Sequence, residues 1–171
     1  MEVEHPIPRA YWVSPGRVLA GEYPGSVYLE DARPKLRWLL ENGVSAFVDL
    51  TERGELEPYL KVLAEEADRL SAAPEHQRQP IEDMSAPTVE VMSDILDTID
   101  AAVESDKVVY LHCMAGLGRT GVVAGCYLVR HGMSGEEALK EIARLRRDLP
   151  GRHEPSPYTE GQRNMVREWT Q

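Results

Sequence analysis

The sequence has little cysteine and no long hydrophobic run. Its 171 residues include only two cysteines, Cys113 and Cys126, too few for the disulfide framework that holds small secreted domains together. No apolar stretch approaches the roughly 20 residues that a membrane-spanning helix needs. The N-terminal residues Met1–Pro6 are acidic and contain a proline, so they do not resemble a signal or transit peptide. We therefore expect a soluble protein of a reducing, cytoplasmic compartment, with no membrane as partner.

Positive charge is also scarce. Lysine and arginine number 19 against 29 aspartates and glutamates, and the resulting net charge of −10 disfavours nucleic acid as a partner. Any anion site must therefore be local. The spacing of cysteine and histidine does not fit a zinc site, so no metal is expected. Hydrophobic residues at 42% exclude disorder, and we expect one domain over residues 1–171 that acts as a monomer.

Apolar periodicity predicts strands that alternate with helices. Tyr11 and Trp12 are expected to dock the N-terminal segment onto the sheet. The predicted strands cover residues 17–22, 44–51, 77–81 and 107–112. The predicted helices cover residues 28–42, 56–73, a stretch that begins at a Thr88 cap, and residues 120–131, 134–149 and 154–169, with a capping box at 134–137. This alternation predicts an α/β fold with a central, mostly parallel twisted sheet flanked by helices.

The strongest predicted strand, residues 107–112, leads directly into a loop with two glycines and then into a helix. The N–H groups of such a loop, together with the first helical turn, bind anions. Gly116 and Gly118 allow the backbone to turn these N–H groups toward one centre. Arg119 adds a planar fork that can hold two phosphate oxygens. The predicted phosphate-binding residues are Met114, Ala115, Gly116, Leu117, Gly118 and Arg119.

Cys113 lies at the start of this loop and is the predicted nucleophile. The helix dipole, the loop N–H groups and Arg119 all favour the thiolate over the thiol. His112 is expected to fix the loop by a hydrogen bond to the backbone, and the Thr120 hydroxyl is expected to hydrogen-bond the sulfur. The alternative is that Cys113 is a small buried residue and the glycines only form a turn.

Residues 112–121, His-Cys-Met-Ala-Gly-Leu-Gly-Arg-Thr-Gly, resemble a known signature. They match H-C-x-x-G-x-x-R-[S/T]-G of the cysteine-dependent protein tyrosine and dual-specificity phosphatases at every fixed position. The Ala-Gly-Leu-Gly-Arg core is most similar to the compact dual-specificity group, which includes kinase-associated phosphatases. The resemblance implies a phosphotyrosine protein phosphatase-like fold and hydrolysis of phosphate monoesters through a phosphocysteine intermediate, without a cofactor.

The resemblance also implies a general acid about thirty residues before the cysteine. Residues 80–87, Pro-Ile-Glu-Asp-Met-Ser-Ala-Pro, resemble the Pro-Ile-x-Asp-x-x-x-Pro stretch of these enzymes and identify Asp83 as the predicted proton donor. A donor is needed because the leaving oxygen must be protonated as its bond to phosphorus breaks. Two alternatives remain open: Glu82 is the acid, or Asp83 caps the next helix.

The expected substrate follows from the neutral side chains of the loop. Relatives that act on inositol phosphates often carry lysines there, whereas Met114, Ala115 and Leu117 are uncharged. The resemblance therefore implies a phosphorylated protein or peptide, phosphotyrosine first, with or without phosphoserine and phosphothreonine. The alternatives are a phosphoinositide or small-molecule phosphatase, a sulfurtransferase-like reaction and a non-catalytic phosphate-binding module.

Four further features are less decisive. Tyr158 replaces the first glutamine of a Gln-Thr-x-x-Gln motif that positions water in tyrosine-specific relatives, whereas Thr159 and Gln162 are kept. Cys126 is expected to lie in the core. Two groups of charged residues lie at or near the ends of predicted elements, and each group has two interpretations. Asp49, Glu52 and Arg53 either line the mouth of the site or are surface charges, and residues 144–147 are a solvated helix end or a recruiting surface for acidic substrates.

Overall fold

The computed structural model describes residues 5–170, so most of the N-terminal segment assessed above as a targeting signal lies outside it. No helix within that range is long and apolar enough to cross a bilayer. In chain order the elements are β1 (Tyr11–Ser14), β2 (Val18–Gly21), α1 (Leu29–Glu41), β3 (Val44–Asp49), α2 (Leu60–Arg69), β4 (Glu75–Arg78), α3 (Val89–Glu104), β5 (Val108–His112), α4 (Arg119–Arg130), α5 (Gly135–Leu145) and α6 (Glu160–Glu168).

The strands form one sheet in the order β1-β2-β5-β3-β4. Strands β2, β5, β3 and β4 are parallel, and only β1 pairs antiparallel to its neighbour β2. The predicted mostly parallel α/β fold is therefore confirmed. Strand β1 was not predicted as a strand, although Pro15-Gly16 is a turn signal. The Arg17 N–H donates to the Ser14 carbonyl at 3.0 Å, and Gly16 adopts a φ of +71°, as a type II turn requires.

Helices cover both faces of the sheet. Helices α1 and α2 pack on one face, against Leu19, Phe47 and Tyr110. Helices α3 to α6 pack on the other, where Val48 and Leu111 belong to the core. The inner strands β3 and β5 are thus buried on both sides, which explains their nearly continuous apolar runs.

The predicted helix starts are confirmed where a capping residue was identified. The Val91 N–H donates to Thr88 Oγ1 at 3.2 Å at the start of α3, and Ser134 and Glu137 form the predicted capping box of α5. Two helices begin later than predicted. Helix α2 starts at Leu60 because Pro58 disfavours helical backbone in the residue before it.

Helix α6 also begins later, at Glu160 instead of residue 154. Pro155 and Pro157 restrict the preceding backbone, and Thr159 caps the helix in a capping box with Gln162. Strand β4 covers residues 75–78 where a strand over 77–81 was predicted. The chain leaves the ladder after Arg78, although the Ile81 N–H still donates to the Leu50 carbonyl at 3.0 Å.

The carboxyl ends of β2, β3 and β5 meet at one edge of the sheet. Ligands of open parallel sheets bind at this edge, where loops leave neighbouring strands. The loop of residues 113–119, called the signature loop below, follows β5 at the centre of that edge.

Candidate active site

The signature loop borders a cavity of about 210 Å³ at the carboxyl edge of the sheet. The structure brings the predicted nucleophile, most of the predicted phosphate-binding residues and the predicted acid to this one cavity. Gly116 is not among the lining residues. The residues that line the cavity are Asp83, Met84, Cys113, Met114, Ala115, Leu117, Gly118, Arg119, Glu154 and Tyr158.

The signature loop is held through three of its carbonyl groups, whereas most of its N–H groups have no partner in the part of the chain that the structure describes. Within residues 5–170, none of the backbone N–H groups of residues 114–118 donates a hydrogen bond to another residue. The carbonyls of Cys113, Met114 and Leu117, by contrast, accept bonds from outside the loop. Their donors are His112 Nδ1 at 3.2 Å, Tyr23 N at 2.9 Å and Ser156 Oγ at 2.7 Å, respectively. Unpaired N–H groups in a fixed loop form an anion site.

The two loop glycines serve different purposes. Gly116 has a φ of +75°, and a Cβ there would lie 2.7 Å from the carbonyl carbon of Gly21, so both conformation and space require glycine. Gly118 has an ordinary φ of −80°, which makes the prediction of special backbone freedom wrong at this position. It provides space instead, because a Cβ would lie 3.0 Å from the side-chain amide of Gln162.

Arg119 is held in place by Glu55, which the sequence analysis did not single out. Arg119 is 1% exposed, and its Nη1 and Nη2 donate to the two carboxylate oxygens of Glu55 at 2.8 and 2.6 Å. Nη1 also donates to the Ile81 carbonyl at 3.2 Å. The buried Nε has no hydrogen-bond partner within residues 5–170. The guanidinium is thus fixed on one side and keeps a free donor.

The charges of this pair support each other. Burial opposes the charge on Arg119, but the hydrogen bonds to Glu55 and the electrostatic interactions with nearby groups outweigh it and raise the pKa of the guanidinium. The hydrogen bonds from Arg119 lower the pKa of Glu55. Both groups are therefore charged at neutral pH. No sequence spacing identifies Glu55, because it lies far from Arg119 in the chain. The two side chains meet only because β3 and β5 are neighbours in the sheet.

Cys113 is 3% exposed, and the two predicted supporting residues, His112 and Thr120, differ in their contacts. His112 makes the expected backbone contact, since its Nδ1 donates to the Cys113 carbonyl. The Thr120 hydroxyl does not make its predicted bond to the sulfur: in the part of the chain that the structure describes, its buried Oγ1 has no hydrogen-bond partner. Cys126 is 0% exposed in α4, and burial raises its pKa to about 12, as expected of a core thiol.

Asp83 lies between the cavity and solvent. Its side chain is 55% exposed, and Oδ1 lies 3.4 Å from Arg119 Nη2 and accepts from the Met84 N–H at 2.9 Å. Glu82 is not among the cavity-lining residues. Helix α3 is capped by Thr88 rather than by Asp83. The position of Asp83 thus suits a group that exchanges a proton with a molecule in the cavity.

Gln162 links helix α6 to the segment that carries Asp83. It is fully buried; its Oε1 accepts from the Thr159 N–H at 3.0 Å, and its Nε2 donates to the Ser85 carbonyl at 3.1 Å. Both ends of the amide are therefore engaged in holding α6 and the segment that carries Asp83. In this structure Thr159 and Gln162 of the retained Thr-x-x-Gln pattern form a helix cap, and Gln162 also bonds the loop that contains Ser85.

The arginines of residues 144–147 are not a free basic surface. Arg146 is 6% exposed and donates to the carbonyls of Gly151 and Glu154 at 3.2 and 3.1 Å. The interpretation of this residue as part of a solvated helix end is wrong, because it fixes the loop that borders the cavity. Its neighbours Arg144 and Arg147 pair with Glu141 and Asp148.

An anion-binding loop at the end of the central strand of this α/β fold, with a cysteine at its start, defines the class of cysteine-dependent phosphatases. Residues 24–133 match a family model described as "Polymorphic toxin system, DSP-PTPase phosphatase". The chain belongs to this family of DSP-PTPase phosphatases, within the compact dual-specificity-like group of the protein tyrosine phosphatase superfamily.

Solved structures and curated proteins agree with this placement. The active form of Tk-PTP is 31% identical, with a TM-score of 0.75 over 95% of this chain and 96% of that one. Kinase-associated phosphatase with a cysteine-to-serine substitution shares the fold at 21% identity, with a TM-score of 0.67 over 96% and 94% of the two chains. The family and fold implied by the signature are thus confirmed.

The matching curated proteins are much longer than this chain. A phosphatidylinositol 3,4,5-trisphosphate 3-phosphatase and protein-tyrosine-phosphatase of Arabidopsis thaliana is 36% identical over 72 residues, 41% of this chain and 18% of that protein. The chain spans 13% to 21% of the length of the curated relatives that it matches.

Proposed function

We propose that the protein is a protein phosphatase that hydrolyses phosphotyrosine, with or without phosphoserine and phosphothreonine, through a phosphocysteine intermediate. The observation that carries this proposal is the set of donors next to Cys113 in sequence and without a hydrogen-bond partner in residues 5–170: the N–H groups of residues 114–118 and Arg119 Nε. These donors suit the three non-bridging oxygens of a phosphate monoester. We further propose that residues 1–171 act as one catalytic domain and as a monomer.

In the first step the Cys113 thiolate attacks phosphorus. A sulfur–phosphorus bond forms while the bond from phosphorus to the leaving oxygen breaks, and Asp83 gives its proton to that oxygen. Arg119 and the loop N–H groups of residues 114–118 hold the remaining oxygens throughout. In the second step water attacks the phosphocysteine, the Asp83 carboxylate takes a proton from that water, and inorganic phosphate and the thiolate are released.

The preference for phosphotyrosine is supported by the apolar side chains at the cavity. Met84, Met114 and Tyr158 line it and are each partly open to solvent, with exposures of 54%, 47% and 41%. Such side chains suit an aromatic ring. Among the described residues, Arg119 is the one cationic side chain that lines the cavity, so the charges suit one phosphate group better than the several of a phosphoinositide.

A substrate panel tests this preference. We expect kcat/KM for a phosphotyrosyl peptide to exceed that for the matched phosphoseryl peptide by about tenfold or more, because the smaller side chain loses the apolar contacts. Phosphoinositides in vesicles should be poorer still. Faster turnover of phosphoinositides would contradict the proposal, and tight phosphate binding without turnover of any monoester would indicate a binding module.

Removing the proposed acid should have an effect that depends on the leaving group. Asp83→Asn keeps the shape of the side chain but has no proton to give, so kcat for a phosphotyrosyl peptide should fall by roughly 10²- to 10³-fold. An aryl phosphate with a strongly acidic phenol needs little protonation and should be affected much less. Steady-state rates over a series of substituted phenyl phosphates measure this difference.

Glu82→Gln is the matched control for this experiment. It neutralises the adjacent carboxylate, which does not line the cavity, and should leave both classes of substrate within about twofold of wild type, the size of a surface-charge effect. A uniform loss across leaving groups in Asp83→Asn, or the selective loss in Glu82→Gln, would assign the acid elsewhere.

A further inference from the structure

A fully buried carboxylate lies behind the signature loop. Asp49 ends β3 and is in register with His112, which ends β5. The sequence left Asp49 as either a mouth residue or a surface charge, and the structure shows that it is neither. Asp49 accepts hydrogen bonds from Thr51 N at 2.9 Å, Thr51 Oγ1 at 2.5 Å and Arg78 Nη2 at 3.2 Å, and its Oδ2 lies 3.0 Å from His76 Nε2.

Asp49 keeps its negative charge in this position. Burial alone would raise its pKa, but the hydrogen bond with His76, the nearby His112 ring and the hydrogen bonds from Thr51 outweigh it and hold the pKa well below its ordinary value. Its other oxygen, Oδ1, lies 4.0 Å from His112 Nδ1. A charged carboxylate therefore faces the histidine that precedes the nucleophile.

This charge, together with the Cys113 carbonyl, favours a proton on Nδ1 of His112. Burial lowers the pKa of His112 to about 4, so the ring is neutral at pH 7 and has one N–H. Nδ1 faces two acceptors, the Cys113 carbonyl and Asp49, whereas Nε2 lies 2.7 Å from the Tyr59 hydroxyl, which can donate to it. The Nδ1–H form satisfies every contact, and the carboxylate favours it electrostatically.

Asp49 also begins the segment that holds Arg119. Its two hydrogen bonds from Thr51 fix the first turn after β3. Four residues later Glu55 binds both Nη atoms of Arg119, and Glu55 Oε2 also accepts from the Glu52 N–H at 2.8 Å. The same carboxylate is thus connected to the cysteine through His112 and to the guanidinium through this segment.

We propose that Asp49 is a positioning residue for the phosphatase reaction: it fixes the tautomer of His112, which orients the Cys113 carbonyl, and it anchors the segment that presents Glu55 to Arg119. The proposal rests on the proposed function, since it assigns a role in that reaction. Asp49 itself does not touch the substrate, because it is fully buried and is not among the residues that line the cavity.

The test is Asp49→Asn, which keeps the shape and an acceptor for Thr51 but removes the charge. We expect kcat for p-nitrophenyl phosphate to fall by about ten- to a hundredfold. This is the size of loss expected when a residue that orients a functional side chain, without contacting the reacting atoms, is removed. A second readout is the ¹⁵N chemical shifts of the His112 ring, recorded by NMR. They should show one Nδ1–H tautomer in wild type and a mixture of both tautomers in the variant.

Glu66→Gln is the matched control, because it neutralises another fully buried carboxylate. Glu66 is bound by Arg33 and Arg37 between α1 and α2, and none of its hydrogen bonds or ion pairs within residues 5–170 involves the signature loop. This variant should lower the melting temperature and leave kcat and the His112 shifts unchanged. A loss of activity that only reflects lower stability would appear in both variants.

The Thr51→Ala variant separates the effect of Asp49 on His112 from its effect on the segment that carries Glu55. It remains informative if Asp49→Asn does not fold. It removes one hydrogen bond to Asp49 and leaves the charge, so we expect weaker binding of inorganic phosphate, by about threefold to tenfold, with the His112 tautomer unchanged. Wild-type rates together with a single Nδ1–H tautomer in Asp49→Asn would overturn the proposal. Absence of turnover in the wild type would instead refute the proposed function, and the NMR readout would still test the link between Asp49 and His112.

Discussion

Turnover of aryl phosphates should fall by a factor on the order of 10⁴ or more in Cys113→Ser. Serine fits the buried position but its hydroxyl is not ionised at neutral pH, so the nucleophile of the first step is lost. The proposed donors to the phosphate are the loop N–H groups and Arg119, which the substitution does not change. Binding of a phosphotyrosyl peptide, measured by calorimetry, should therefore persist in the inactive variant.

The second cysteine provides the control for this substitution. Cys126→Ser makes the same chemical change at a fully buried position inside α4, away from the cavity. It should cost about 1–3 kcal/mol of unfolding free energy, because a hydroxyl replaces a buried thiol, and leave kcat near the wild-type value. Wild-type turnover by Cys113→Ser would exclude the thiolate mechanism, as would equal inactivity of the two folded variants.

Arg119→Lys should lower kcat/KM by about 10³-fold, although the charge is kept. Lysine cannot donate to both oxygens of Glu55 and also present a second donor to the phosphate, because its ammonium is a single point and not a planar fork. Loss of one such donor to the transition state costs roughly 10²- to 10³-fold. Steady-state kinetics with p-nitrophenyl phosphate and calorimetry with inorganic phosphate measure the two consequences.

Arg130→Lys is the corresponding control on the same helix. Arg130 ends α4 and pairs with Asp97 and Asp100 on α3, so its replacement tests whether any arginine in this helix matters. We expect wild-type kinetics from it. Near-normal kcat/KM in Arg119→Lys would show that charge alone suffices and that the hydrogen-bond geometry with Glu55 has no role in the reaction.

Sequence patterns determined most of the architecture because the local signals were strong. The apolar runs that became β3 and β5 are buried on both faces, and the caps at Thr88 and Ser134 are local hydrogen bonds between residues three apart. Strand β1 was missed because four residues at a sheet edge are too few for an alternating pattern to be recognised in the sequence. Its existence depends on pairing with β2.

The site was predictable where its parts are contiguous and not where they meet only in three dimensions. Cys113 and Arg119 lie six residues apart in one loop, and Asp83 was found through a family resemblance. Glu55 and Asp49 act through contacts between β3, its following segment and the loop after β5, which only the order of strands in the sheet creates. The expected bond from Thr120 to the sulfur was wrong because proximity in sequence does not fix the direction of a hydroxyl.

The hydrogen bond from the Gln162 amide limits how far the segment that carries Asp83 can move when a substrate binds. Ser85 lies two residues after Asp83, so the bond from Gln162 to the Ser85 carbonyl anchors the acid-bearing segment to α6. If that segment moved outward, the buried side-chain amide of Gln162 would lose its hydrogen bond to the Ser85 carbonyl, at a cost of about 1–3 kcal/mol. The proposed proton donor, Asp83, is therefore preorganised, and we expect that no movement of this segment limits the rate.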